Sequence, residues 1–168
     1  MSVALVALVA LGGLGGCAKD DAMTSGDSQL TEAQATVRVE ELIHQVVSGI
    51  TPKPRLELLP TSLAEHRCLP NEGSVPTGKI YVVRSYYLKG LPEKDLSSAA
   101  LIIQGNWESA GHKIAMTHRF DAGKPRLSGD TDDGFGLSLD TTTTMELLLA
   151  VVSPCFRPST SPSPSATP

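Results

Sequence analysis

From Val3 to Leu14 the chain carries no ionisable side chain, and this run closes on small residues directly before Cys17. An uncharged apolar run followed by small residues has the profile of a secretory signal. It is shorter than the roughly 20 residues a helix needs to cross a bilayer, which disfavours a permanent span. No Lys or Arg precedes it. The most hydrophobic stretch of the chain is thereby withdrawn from the fold, and any core must be built from residues beyond Cys17. The alternative is a buried N-terminal helix or strand in which Cys17 is incidental. Gly13, Gly15 and Ala18 match the spacing of a dinucleotide fingerprint, but no βαβ pattern surrounds them, and the match is discarded.

Leu14-Gly15-Gly16-Cys17 resembles the lipobox of bacterial lipoproteins: an apolar residue three before the cysteine, two small residues, then the thiol. The resemblance implies a thioether-linked diacylglycerol (palmitate-type acylation) on Cys17 and cleavage after Gly16. Small residues suit a peptidase that must hold extended backbone closely, and only a thiol forms the thioether. Two acyl chains on one residue anchor stably where one is marginal. The expected localisation is the extracytoplasmic side of the cell membrane.

With residues 1–16 assigned to the signal, the formal charge of −4 belongs entirely to the remaining chain. A mildly acidic balance without a basic cluster argues against nucleic acid as partner, and aromatic residues at 4% leave few base-stacking platforms. Three cysteines are odd in number for an exported chain. Once Cys17 is given to lipid, Cys68 and Cys155 remain as a natural disulfide in an oxidising compartment. Two free buried thiols are the alternative, and a metal site lacks a second Cys or His at ligand spacing.

Residues 18–29 are small and polar, too poor in apolar surface to fold, and form a flexible tether with Cys17. Thr31 and Gln34 match a capping box, and Ala35, Val39, Leu42, Ile43, Val46, Val47 and Ile50 follow at helical spacing up to Gly49 and Pro52. Between Pro52 and Gly78 the prolines predict an irregular excursion, with Leu56–Leu59 a candidate short strand. Ile80–Leu88 is β-branched and aromatic, bounded by Gly78 and Gly90, and predicts a strand. Pro92 opens a second helix with Leu96, Ala99, Ala100, Ile103, Trp107 and Ala110 as its stripe and Gly111 as its stop.

Beyond it, alternation places Ile114, Met116, His118 and Phe120 on one face of a half-buried strand. Arg126–Asp130 and Phe135–Leu139 follow across turns at Asp121–Pro125 and Asp132–Gly134, and Met145–Val152 is apolar on both parities, as in a strand central in a sheet. From residue 157 onward Ser, Thr and Pro cannot build a core.

The expected fold is α+β: an antiparallel sheet of about four to five strands with two helices packed on one face, in a single domain over residues 30–156. This layout, with Trp107 four residues before Gly111 and a last strand closing on Ser153-Pro154-Cys155, resembles small secreted actinobacterial lipoproteins of mostly uncharacterised role. The resemblance brings a fold and a location and carries no catalytic residues.

Residues able to carry chemistry are scattered along the chain. His112 and His118 lie about 20 Å apart along one strand, too far to share a metal, and His44 and His66 have no partner at ligand spacing. Aligning Gly134 with the glycine of a calcium loop puts Gly129 and Thr131 where carboxylates belong, so Asp130, Asp132 and Asp133 are turn residues. No nucleophile elbow is present. Glu57, Glu65, Glu72 and Glu108 offer a nearly uninformative carboxylate pair, and Tyr81, Tyr86, Tyr87 and Trp107 a groove for lipid or glycan, with Trp107 better placed in the core. No catalytic, cofactor or metal residue is assigned.

The expected function is that of a lipid-anchored envelope protein acting as a non-enzymatic binding module, with another envelope protein or a small ligand as partner. The alternatives are an envelope hydrolase or metal-dependent enzyme with dispersed residues, and a carrier of an apolar ligand between sheet and helices.

Overall fold

A computed structural model describes residues 30–69 and 78–158. The expected signal peptide, the expected tether with Cys17, Glu72 and the tail beyond Pro158 lie outside the described residues. Helix α1 (Glu32–Val46) begins where Thr31 Oγ1 accepts the Gln34 amide at 3.2 Å and Gln34 Oε1 accepts the Thr31 amide at 3.0 Å. This reciprocal box satisfies two amides that the first turn leaves unpaired. Helix α2 (Leu96–Ser109) follows a 3-10 turn at Glu93–Asp95 and ends before Gly111, whose φ of +83° is left-handed.

The strands are β1 (Arg55–Leu58), β2 (His66–Arg67), β3 (Ile80–Tyr81), β4 (Val83–Lys89), β5 (Lys113–His118), β6 (Arg126–Asp130), β7 (Gly136–Thr141) and β8 (Leu147–Val152). Six of them form one antiparallel sheet in the order β1-β4-β8-β7-β6-β5, and β2 pairs with β3 in a second, two-stranded sheet. The architecture is α+β, but the expectation of about four to five strands is corrected to eight. The undercount has a local cause. Strands β2 and β3 are two residues long, too short to show a period, and are held by long-range bonds instead. Cys68 is bonded to Cys155, Cys68 donates its amide to Lys79 O, and Ile80 and Phe156 exchange both backbone bonds at 2.8 and 2.9 Å. A break at Val82, whose amide is accepted by Ser153 Oγ, separates β3 from β4 within what the sequence presents as one run.

The register fixes what each face of the large sheet carries. Leu147, Leu149 and Val151 alternate inward on β8, level with Leu137 and Leu139 on β7, Leu127 on β6 and Leu88 on β4, and all are buried. Helix α1 packs over β4 and β8, α2 packs over β5 and β6, and the helices touch each other. Ala35, Val39, Leu42, Ile43 and Val46 come from α1, and Leu96, Ala100, Ile103 and Trp107 from α2. Met145 is no part of β8; it sits in the preceding turn at φ +57°.

Strand β5 departs from simple alternation. Its register with β6 shifts between Ile114 and Met116, so Ile114 lies opposite Gly129 on the helix side while Met116 lies opposite Ser128 on the other. One extra residue reverses the parity of everything after it. Met116 is therefore 43% exposed, and the single apolar face expected for Ile114, Met116 and His118 does not exist.

Trp107 dictates its neighbour. Its indole N–H donates to Lys113 O at 3.2 Å, directly over Gly129, where an added Cβ would stand 2.4 Å from Lys113 O and 2.7 Å from Trp107 Nε1. Only a residue without a side chain lets the indole lie on the strand. Gly129→Ala is expected to lower the unfolding free energy by about 1–3 kcal/mol, the usual cost of overpacking. Gly105→Ala, in open space on α2, is expected to be neutral or mildly stabilising. Urea denaturation followed by Trp107 emission checks both, and an unchanged midpoint for Gly129→Ala contradicts the packing described.

Candidate functional site

The face of the large sheet turned away from the helices carries neither α1 nor α2; at its β4 end Ser85 is buried, and its amide donates to Ser62 of the 3-10 turn Pro60–Leu63. Its middle row runs Ser85, Ala150, Ser138, Ser128 and Met116, from β4 through β8, β7 and β6 to β5. Leu148 and Val152 of β8 flank that row, half-buried, with Tyr87 and Val83 beside them on β4. The apolar residues on both parities of β8 thus have separate fates: one set fills the core and the other looks outward. The result is a low-relief surface of small and apolar side chains.

Charged groups rim this surface and are largely matched to one another. Lys89 Nζ donates to both Glu146 carboxylate oxygens at 2.8 Å, lies 3.8 Å from Glu57, and sits 4.8 Å above the centre of the Tyr87 ring. The hydrogen bond to Glu146 raises the Lys89 ammonium above its ordinary value, and the same bond holds the Glu146 carboxyl below its own. At the other side of the face, Arg126 pairs with Asp140. A rim neutralised in this way leaves the centre without a strong field of either sign.

A second constellation lies between sheet and helix. Tyr86 donates its hydroxyl to Glu40 of α1, at 2.9 and 3.0 Å from the two oxygens, and Arg84 Nε stands 3.6 Å from the same carboxylate. Burial first, then the bond to Glu40, pushes the Tyr86 phenol up to about 12. Glu40 borders an open groove of about 970 Å³ along α1, lined also by Val37, Glu41, His44 and Asn106. Because its carboxylate already serves Tyr86 and Arg84, Glu40 acts as the clasp that fixes α1 on β4.

The other singled-out residues are dispersed. Cys68 and Cys155 are joined across 87 positions, with 6.2 Å between their Cα atoms. Tyr81 stacks on His66 at 5.1 Å, Tyr87 faces outward beneath Lys89, and Trp107 is fully buried, so the four aromatics line no common groove. Glu57 pairs with Arg55 and Lys89, Glu65 with Arg67, and Glu108 accepts from Gln104, each on a different segment. Asp132 pairs with Lys113 and Asp133 with Arg38, while Thr131 closes the turn by accepting the Phe135 amide at 2.8 Å. His112 leans on Trp107, His118 stands on the outward side opposite Arg126, and His44 is exposed on α1. Among the described residues no group of three or more His, Cys, Asp or Glu side chains is arranged to hold a metal ion, and no helix is long and apolar enough to cross a membrane.

The Glu57–Lys89–Glu146 and Glu40–Arg84–Tyr86 groups are not legible in the sequence. The bonds that tie them together, Lys89 to Glu146 and Tyr86 to Glu40, span 57 and 46 positions, and no local spacing announces them.

Comparison with known proteins gives little beyond this geometry. No family model matches the chain, and no curated protein matches it. Among solved structures, the crystal structure of the proposed lipoprotein LppA from Mycobacterium tuberculosis aligns over 81% of this chain and 83% of its own, at 12% identity and a TM-score of 0.47.

The Tyr86 clasp predicts an alkaline weakness. A phenol held above its unfolded value stabilises the fold at pH below about 10 and loses that contribution as pH rises through about 12. The thermal midpoint should fall over that window, and Tyr86→Phe should flatten the fall while costing about 0.5–1.5 kcal/mol at neutral pH for the lost hydrogen bond. Identical alkaline profiles for the two proteins contradict the assignment.

Proposed function

We propose that this protein is a lipid-anchored envelope lipoprotein, tethered through Cys17, whose domain serves as a non-enzymatic interaction module. Its contact surface is the open face of the six-stranded sheet, and its partner is another protein of the cell envelope. The observation that carries this reading is the central strand β8. It presents Leu148, Ala150 and Val152 half-buried on the side away from both helices, inside a rim of mutually paired charges. A surface with small and apolar side chains in its middle and a polar, neutralised edge has the character of a protein contact. The resemblance of Leu14 to Cys17 to a lipobox supports the anchor, and the polar composition of residues 18–29 is that of a linker.

Carriage of an apolar ligand is disfavoured by the space between sheet and helices, which is filled by Leu42, Ile43, Trp107, Leu139 and Leu149, all fully buried. The surfaces that remain are open ones, suited to contact between macromolecules.

The test is photo-crosslinking in the native membrane from a reactive residue placed at Ala150, at Leu148 or, as control, at His44 on α1. Adducts of one defined size from Ala150 and Leu148 but not from His44 are expected, with Cys17→Ala releasing the protein from the membrane fraction and abolishing them. Adducts from His44 alone, or a Cys17→Ala protein that stays membrane-bound, contradict the reading.

A further inference from the structure

We infer that the end of the domain bearing the Cys68–Cys155 bridge lies against the lipid surface, with Leu69 and Val37 as its contacting side chains; this rests on the anchoring proposed above. The two most exposed large apolar side chains among the described residues are Leu69, at 81%, and Val37, at 58%. Both belong to the same end of the molecule. Pro158 borders one hollow with Thr31, Ala33 and Val37 and another with Cys68, Gly78 and Ile80, so the N-terminus of α1, the last described residue and the bridge meet there. Leu30, where the tether joins the domain, opens directly into α1.

The length of the tether decides what this end can reach. Residues 17–29 are thirteen in number, and no chain of thirteen residues spans more than about 45 Å. A domain of this size has a radius of gyration of about 14 Å. The attached end is therefore kept within about 45 Å of the acyl anchor, where weak apolar contacts with the membrane surface become effectively intramolecular. Several charges at this end are matched, Glu65 with Arg67, Asp133 with Arg38 and Asp132 with Lys113, while Glu32 lines the hollow it shares with Val37. Leu69 then enters the headgroup boundary, and the strands stand on end, which turns the open sheet face sideways and leaves it accessible from the periplasm-like space around it.

Fluorescence quenching tests the orientation on the full, acylated protein. Leu69→Trp, Val37→Trp and Leu101→Trp are prepared separately and reconstituted in vesicles of phosphatidylcholine and phosphatidylglycerol brominated near the headgroup. Leu101 is the control, since it is 57% exposed but borders the hollow beside Phe120 and Asp121, away from the bridge. Trp107 is fully buried and supplies a constant background. The expected result is loss of emission for Leu69→Trp and Val37→Trp relative to unbrominated vesicles, and none for Leu101→Trp. Protein that floats with the vesicles yet shows no loss at Leu69→Trp and Val37→Trp, or an equal loss at Leu101→Trp, overturns the orientation while leaving the anchor standing. Protein that does not float with the vesicles overturns the anchor, and the orientation with it.

Discussion

The bond between Cys68 and Cys155 is the constraint on which the short strands β2 and β3 depend. Residues 52–69 bury little of their own: β1 has four residues, β2 has two, and the 3-10 turn between them buries only Ser62. Segments so short cannot offset the cost of ordering their backbone, which is about 1–2 kcal/mol per residue. Strand β1 is held by its pairing with β4 and the 3-10 turn by Ser62 on the Ser85 amide, while residues 66–69 are held by the bridge and by β3, which the Ile80–Phe156 exchange fastens to the end of β8, the strand at the centre of the sheet. Closing a loop of this length contributes on the order of 4 kcal/mol in the chain-entropy picture. The bridge therefore converts the stability of the central sheet into order at its periphery.

The central sheet draws its stability from one face only. Leucines on β4, β6, β7 and β8 meet the stripes of α1 and α2, and the Trp107–Gly129 contact sets how closely α2 approaches β6. The opposite face is left with small and half-buried side chains in its middle and paired charges around them. Antiparallel sheets commonly have one solvated face, but a solvated face is normally polar along its length. Here β8 keeps Leu148 and Val152 outward, an arrangement that packing against the helices does not require, and the proposed interaction surface rests on it.

Much of the regular structure is legible in the sequence because it rests on local signals. The capping box at Thr31, the α1 and α2 stripes, the turns at Asp132–Gly134 and the alternation of β7 all announce themselves within short windows of sequence. The illegible parts lie where the cause is distant. Strands β2 and β3 exist through the bridge and Phe156. The bulge in β5 reverses the outward set after Ile114, and no residue in Lys113–His118 marks it. The candidate surface is only half visible: β8 shows apolar residues on both parities, but which parity is left uncovered depends on where both helices pack. The clasps at Glu40 and Lys89 join residues too far apart in sequence for any spacing to reveal them.

The central claim is that one thiol carries lipid and the other two close the fold. Intact mass of the protein extracted from its own membrane, measured before and after reduction, tests both halves at once. The account predicts a chain beginning at Cys17 with the added mass of acylation, and a gain of about two daltons on reduction as the Cys68–Cys155 bond takes up two hydrogens. An uncleaved chain without added lipid and without a change on reduction would contradict it.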